Sequence, residues 1–540
     1  MKISGNIVDV VNRKIFTGII HVEDGKIKDI SEEKFESDKY IIPGFIDSHV
    51  HIESSMLLPY EFGRIAATHG TVSCICDPHE IANVMGLKGV EFMIENSRQS
   101  PIKIYFGAPS CVPATGFETA GGKIDINDIR YLFKRYGLKC LSEVMNVPGV
   151  IYNDPDVVEK INLAKSLGRK IDGHAPRLTG ESLKKYVDAG IGTDHECTDI
   201  NEAIEKIKLG MKVQIRNGSA AKDFDELFEL IDMYPENCMF CTDDLHPDNL
   251  VNGHINLIVK EAVSRGADLF NVLQIACVNP VRHYGLCTGT LQVGDNADFL
   301  IVSDLKNFEV LRTYVNGKVV AKNGVADCKH QEFDKINNFA KYMVSESEFK
   351  VYSEIPNDVN VIVINDGSLV TERQKVKLRP QNGSLSADVE NDILKIAVVN
   401  RYKKSKPSVG FVKNFGIKRG AVASSVAHDS HNIVAIGCDD FSLCRVVNIV
   451  MENEGGIAVV DGGEQLILPL PFGGIMSGEE GYRVSNQYRL LDEKVKKMGS
   501  LLMSPFMTLS FLALLVIPSL KISDKGLFDS EDFKFISVLE

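Results

Sequence analysis

Residues 41–52 read IIPGFIDSHVHI: an apolar run that ends in a cluster of polar and imidazole side chains. Seven similar runs follow. They are GTVSCICDPH (70–79), IKIYFGAPSC (102–111), LKCLSEVMN (138–146), GRKIDGHAP (168–176), AGIGTDHEC (189–197), GMKVQIRNGS (210–219) and NCMFCTDDLH (237–246). Between them lie stretches with apolar residues at helical spacing, such as 156–167 and 198–209. Buried strands alternating with helices of this length mean a parallel sheet. Eight such units predict a (β/α)8 TIM-like barrel over residues 41–284. The competing fold, an open doubly wound sheet, lacks its marker: no G-x-G-x-x-G follows the first run.

The flanks have another texture. Residues 1–40 alternate as strands do, with Asp24-Gly25 between two runs as a hairpin signal. Residues 289–320 again show short alternating strands with Gly-Asp and Asn-Gly turns. The reading is a small β-sandwich domain built from 1–40 and 285–330, flanking the barrel. Residues 331–540 mix strand-like and helical runs and are expected to form a C-terminal α+β domain.

The chain has 540 residues, too many for one ordinary core, and about 150 residues per domain suggests three or four units. Its 60 basic and 73 acidic residues give a formal charge of −13. That balance argues against a nucleic-acid partner, which requires a basic face to displace phosphate counterions. The start has no apolar run of the secretory kind, and the apolar stretch between Pro505 and Pro518 is too short to span a bilayer. Twelve scattered Cys fit reduced thiols and a cytoplasmic location. Cys238 and Cys241 lie an odd step apart on a strand, so they face opposite ways and are read as core thiols rather than a joint site.

Barrel enzymes build their sites at C-terminal strand ends. There this sequence places His49 and His51, Glu143, His174, His195 and Asp243. In an extended strand, positions i and i+2 point the same way, so His-Val-His aims two imidazoles at one point. Four imidazoles and two carboxylates suit divalent Zn²⁺, Mn²⁺ or Fe²⁺. Six ligands exceed what one open catalytic ion needs, which points to two metals and a bridging carboxylate.

These residues also carry a resemblance. PGFIDSHVH (43–51) and GDNADF (294–299) resemble the amidohydrolase superfamily. HVHIESS (49–55), CDPHEIANV (76–84), RNGSAA (216–221), TDDLHP (242–247) and SVAHDSHN (425–432) are similar to its adenine deaminase family. The resemblance implies hydrolysis of adenine to hypoxanthine and ammonia in purine salvage, by a metal-bridging hydroxide attacking C6. It also implies manganese or iron as the metals, and Glu143 as the bridge where many relatives use a carboxylated lysine. Asp243 is then both ligand and proton carrier. Glu53, on the side of His51, is expected to protonate purine N1 or to orient a histidine.

Asp77 and His79 face the mouth as substrate contacts or as supports of the ligands. Arg216 and Ser219 are candidates to bind purine nitrogens, and His246 to line the pocket. His428, with Asp429 and His431, is expected to close over the site, to bind a further metal, or to form a structural polar cluster or an interface. The substrate expected is a small molecule, with no nucleic acid or membrane partner, and a chain of this size is expected to form a homodimer or larger. Two other readings keep the fold in view: a hydrolase of cyclic amides or N-acyl groups, and a metal-free scaffold. A scaffold would have lost ligands, and this chain keeps six. The H-x-E…P-C-x-x-C deaminase type is excluded, because no Pro-Cys occurs.

Overall fold

A computed structural model describes residues 1–219 and 221–539. Ala220, inside the 216–221 motif, and Glu540 lie outside the described residues. The chain divides into two compact units.

The first unit contains a sheet and a barrel. Strands Lys2–Asp9, Lys14–Glu23, Lys26–Glu32 and Tyr40–Pro43 join Phe299–Val302, Val310–Val315, Lys318–Lys322 and Val325–Ala326 in one eight-stranded sheet. The flanks meet where Tyr40–Pro43 runs antiparallel to Phe299–Val302, with Ile42 opposite Leu300. Asp24 and Gly25 have φ of 50° and 74°, as a two-residue hairpin turn with both residues left-handed requires. Ile7, Ile20, Ile27, Ile41, Phe299 and Tyr314 bury the sheet's apolar face.

The barrel strands are β1 (Phe45–Val50), β2 (Thr71–Cys76), β3 (Lys103–Ala108), β4 (Cys140–Val144), β5 (Lys170–Gly173), β6 (Thr193–Asp194), β7 (Lys212–Arg216) and β8 (Cys238–Cys241). They match the eight runs read from the sequence. β1 to β5 pair in order, as do β6 to β8, and every pairing is parallel. Gly192 N–H donates to Ile171 O (2.9 Å) at the β5–β6 seam. Asp243 closes the circle on β1: its N–H donates to His49 O (3.0 Å), and its carbonyl accepts from His51 N–H (3.1 Å). Every residue of β1, β2, β4 and β8 is buried, the continuous burial that a parallel sheet covered on both faces shows. At the end of β5 a Cβ on Gly173 would sit 2.4 Å from Thr193 O, so glycine there lets the strands bearing His174 and His195 approach closely.

The second unit comprises residues 80–90, 112–123 and the chain from Glu332 onward. The first two segments follow β2 and β3 in sequence but count with this unit. Its eight-stranded sheet runs in the order Glu372–Leu378, Asn357–Val363, Ser408–Lys413, Ile393–Val399, Ile433–Gly437, Ala421–Ser424, Gly456–Asp461, Glu464–Pro469. Helix Asp440–Glu452 sets Leu443, Val446, Val447 and Val450 against Ala421, Ala423, Ala435 and Ala458. Large helix side chains over small sheet side chains complement one another in volume across the layer. The unit is α+β, as expected.

Candidate metal centre

His49 and His51 bracket the last residue of β1, and their rings meet as the strand period requires. Nε2 of His49 lies 3.1 Å from Nε2 of His51. Asp243 Oδ1 completes a trio, 3.4 Å from His49 Nε2 and 3.1 Å from His51 Nε2. Asp243 adopts a left-handed φ of 57°, a strained conformation for a non-glycine, and its two backbone bonds to β1 hold it there.

Glu143, at the end of β4, reaches two groups of histidines at once. Oε1 lies 3.5 Å from His51 Nε2 and 3.3 Å from His79 Nδ1. Oε2 lies 3.0 Å from His174 Nδ1 and 3.1 Å from His195 Nε2. The His195 ring stacks on His49 at 4.0 Å between centroids, tying the two groups together. All six predicted ligands therefore converge. Five are buried, and His174, with its side chain 22% exposed, sits on the open side.

The spacing and charge of this cluster fit cations. Donor atoms about 2.1 Å from a common ion, at ordinary bond angles, lie roughly 3.0–3.4 Å apart. Five donor separations, 3.0 to 3.4 Å, fall at that spacing, and His51 Nε2 to Glu143 Oε1, at 3.5 Å, lies just beyond it. His49, His51, Asp243 and Glu143 Oε1 would hold one ion; His174, His195 and Glu143 Oε2 the other. Both Asp77 carboxylate oxygens are buried without a hydrogen bond, and their ion-pair partner is His79 Nδ1 at 3.2 Å. Burial would depress the His195 imidazole, yet the Asp243 and Glu143 carboxylates push it up to about 9. His51 and His174 are raised against burial in the same way. Burial disfavours ionised Glu143 and Asp243 too, and the neighbouring histidines nonetheless hold both below the usual carboxylate range.

The remaining sequence candidates divide. Glu53 is buried in the short 3-10 turn Ile52–Ser55 directly after β1. Ser219 Oγ donates to Asn249 Oδ1 (2.6 Å) and accepts from His246 N–H (2.8 Å), which ties the loops after β7 and β8 together. His246 is buried as the residue preceding helix Pro247–Leu250. Arg216 is committed to carboxylates: Nη1 donates to Asp243 Oδ2 (2.8 Å) and to Glu196 Oε1, Nη2 to Glu196 Oε2 (3.1 Å), and Nε to Asp223 Oδ2 (3.2 Å). Cys238 and Cys241 are buried free thiols.

In the second unit, the Glu80 carboxylate receives His428 Nδ1 on one oxygen and His431 Nε2 on the other. These three side chains could hold an ion by proximity alone. However, Ala427 N–H donates to His431 Nδ1 (3.2 Å), so neutral His431 keeps its proton on Nε2 and donates it to Glu80. The arrangement is a hydrogen-bonded imidazole–carboxylate–imidazole row.

Sequence reasoning missed three residues. Glu196 follows the candidate ligand His195 directly, and its Oε1 stands 3.7 Å from both His174 Nδ1 and His195 Nε2. A carboxylate adjacent to a strand-end histidine was the available signal. Asp47 and His254 pair at 3.0 Å behind the site. Asp47 Oδ1 also accepts from Thr242 N–H (3.1 Å), which pins the ends of β1 and β8 to each other.

Residues 40–320 match the amidohydrolase family, and residues 368–534 match the adenine deaminase C-terminal domain. An adenine deaminase of Methanosarcina mazei is 47% identical over 99% of each chain. One of Sulfurovum sp. is 50% identical, again over 99% of each chain. Among solved structures, dihydropyrimidinase from Brevibacillus agri is 12% identical with a TM-score of 0.47, covering 61% of this chain and 96% of that one.

Proposed function

Because the chain belongs to the adenine deaminase family of amidohydrolases, we propose that it hydrolyses adenine to hypoxanthine and ammonia at the barrel mouth. One observation carries the assignment to this site: Glu143 engages both histidine groups, one through each oxygen, as a bridge between two ions would. Manganese or iron suits the mixed nitrogen and oxygen donors, and zinc fits the same set. When bound, such ions supply a water acidified towards neutrality and an electrophilic pull on the substrate.

The chain's own groups handle protons and position. Asp243, with Oδ1 directed at the His49–His51 pair, takes the proton shed by the attacking water on Oδ2 and returns it to the departing amino group. Glu53 delivers a proton to purine N1 as C6 becomes tetrahedral and recovers one from the C6 hydroxyl as the C–N bond breaks and the carbonyl forms. Asp77 supports His79, which lies against Glu143. The balance is adenine plus water to hypoxanthine plus ammonia, so no redox partner is needed. The substrate is a neutral base, which is consistent with a mouth lined by acids rather than by a basic surface.

A cytoplasmic homo-oligomer acting in purine salvage is part of this proposal. Unpaired cysteines support that location, and no described helix is long and apolar enough to cross a membrane. The test loads the chain with Mn²⁺ or Fe²⁺ and follows adenine by chromatography. Hypoxanthine and ammonia in equal amounts support the proposal. A fully metallated chain that leaves adenine intact and opens a cyclic amide would transfer it to the alternative substrate class.

A further inference from the structure

Arg216 ends β7, and its backbone is paired in register with Cys241, two residues before Asp243. Its side chain is 5% exposed and stands among three carboxylates. Asp223 Oδ2 accepts from Nε at 3.2 Å and fixes the plane of the guanidinium. The fork then meets Glu196 through both terminal nitrogens, and Nη1 also donates to Asp243 Oδ2 at 2.8 Å. Four of the five N–H groups are thereby used, leaving little of this side chain to recognise a purine.

Asp243 has two oxygens with different neighbours. Oδ1 faces His49 and His51, and Oδ2 faces Arg216. A carboxylate turns easily about its last torsion. Released from Arg216, both oxygens could rotate towards an ion, and neither would remain directed for proton transfer.

We infer that Arg216 is a positioning residue that assigns separate tasks to the two oxygens of Asp243 and holds Glu196 beside His174 and His195. Lysine cannot replace it, because a single ammonium lacks the planar fork that joins two carboxylates while a third anchors Nε.

The inference rests on the deaminase reading and is tested with Arg216→Lys in the metal-loaded full chain. The expected result is two ions per chain retained, KM for adenine within threefold of wild type, and kcat lowered about a hundredfold, as for a misdirected reacting group. X-ray absorption at the metal edge should also change, reporting a carboxylate that has turned onto the ion. Should Arg216→Lys not fold, Asp223→Ala frees only Nε; it is expected to lower kcat about tenfold with KM and metal content unchanged.

Three results would overturn the inference: kcat within threefold of wild type; KM raised tenfold at unchanged kcat, the mark of a purine-binding arginine; or metal lost in proportion to activity. A wild-type chain inert towards adenine would defeat the deaminase reading alone. The metal-edge spectrum of Arg216→Lys would then still decide the role of the arginine.

Discussion

Lys206 lies in helix Ile200–Lys208 and is fully buried, though it touches no substrate. Its Nζ donates to Asp194 Oδ2 (2.6 Å), Glu202 Oε1 (2.5 Å) and Ala175 O (2.7 Å). Asp194 precedes His195, and Ala175 follows His174, so one ammonium holds the backbone of both histidines. Lys206→Met keeps the length and removes the charge. Glu202 would still accept from Arg177 N–H (2.8 Å) and Thr198 N–H (3.0 Å), so its loss is partly offset. Asp194 would keep Ala175 N–H (2.8 Å) but no cation of comparable strength. Burial raises the Asp194 carboxyl, yet Lys206 and His195 outweigh it and hold the group at about 2, against an ordinary 3.8. A folded value below the unfolded one contributes stability above pH ~3.8 that is lost as pH falls through ~2, worth about 2 kcal/mol. Breaking a buried pair costs about 3–5 kcal/mol. With Glu202 partly compensated, the low end, about 3 kcal/mol, is expected at neutral pH. Hydrogen exchange by mass spectrometry reads this directly: amides of peptides covering 171–210 should exchange roughly a hundredfold faster. Exchange within threefold of wild type would refute the reasoning that Lys206 neutralises this buried pair.

Other perturbations probe other parts of the account. Glu143→Gln keeps the size of the bridge but offers one oxygen, so metal content by mass spectrometry should fall from two ions to at most one, and kcat by about a thousandfold or more. Glu53→Gln should retain both ions and lose about a hundredfold in kcat; full metal with near wild-type activity removes Glu53 from the chemistry. In the second unit, burial, reinforced by the charge of Asp429, pushes the Glu118 carboxyl up to about 8 from an ordinary 4.5. A raised folded value means the wild type loses stability as pH climbs from about 4.5 to 8, by up to about 5 kcal/mol. Glu118→Gln should therefore unfold at higher urea than wild type at pH 9 and show no such advantage at pH 5. An identical pH profile for the two proteins would contradict this.

Much of the site was legible because two periodicities act together. Strand alternation puts His49 and His51 on one side, and the barrel puts every strand's C-terminal end on one face; β1, β4 and β8 each carry a candidate ligand there or in the next residues. Even β6, only two residues long, was marked by Asp194, its last residue, and the His195 that follows. What could not be read was partnership. Arg216 was placed at the mouth from its strand, but its three carboxylates come from residues 196, 223 and 243, and nothing in spacing says that a guanidinium will be claimed by them. Glu80 and His428 are 348 positions apart, so their pairing is a product of tertiary packing. Segments 80–90 and 112–123 read as ordinary barrel connections, since membership of a unit depends on long-range contacts that no local pattern records.

The most direct test of the central claim is a single turnover analysis in H₂¹⁸O with the chain carrying two Mn²⁺ or Fe²⁺ ions. The account predicts hypoxanthine heavier by one ¹⁸O at position 6, one ammonia released per adenine consumed, and loss of both when Glu143 is replaced by Gln. Unlabelled hypoxanthine, or no hypoxanthine from a chain with both ions bound, would contradict it.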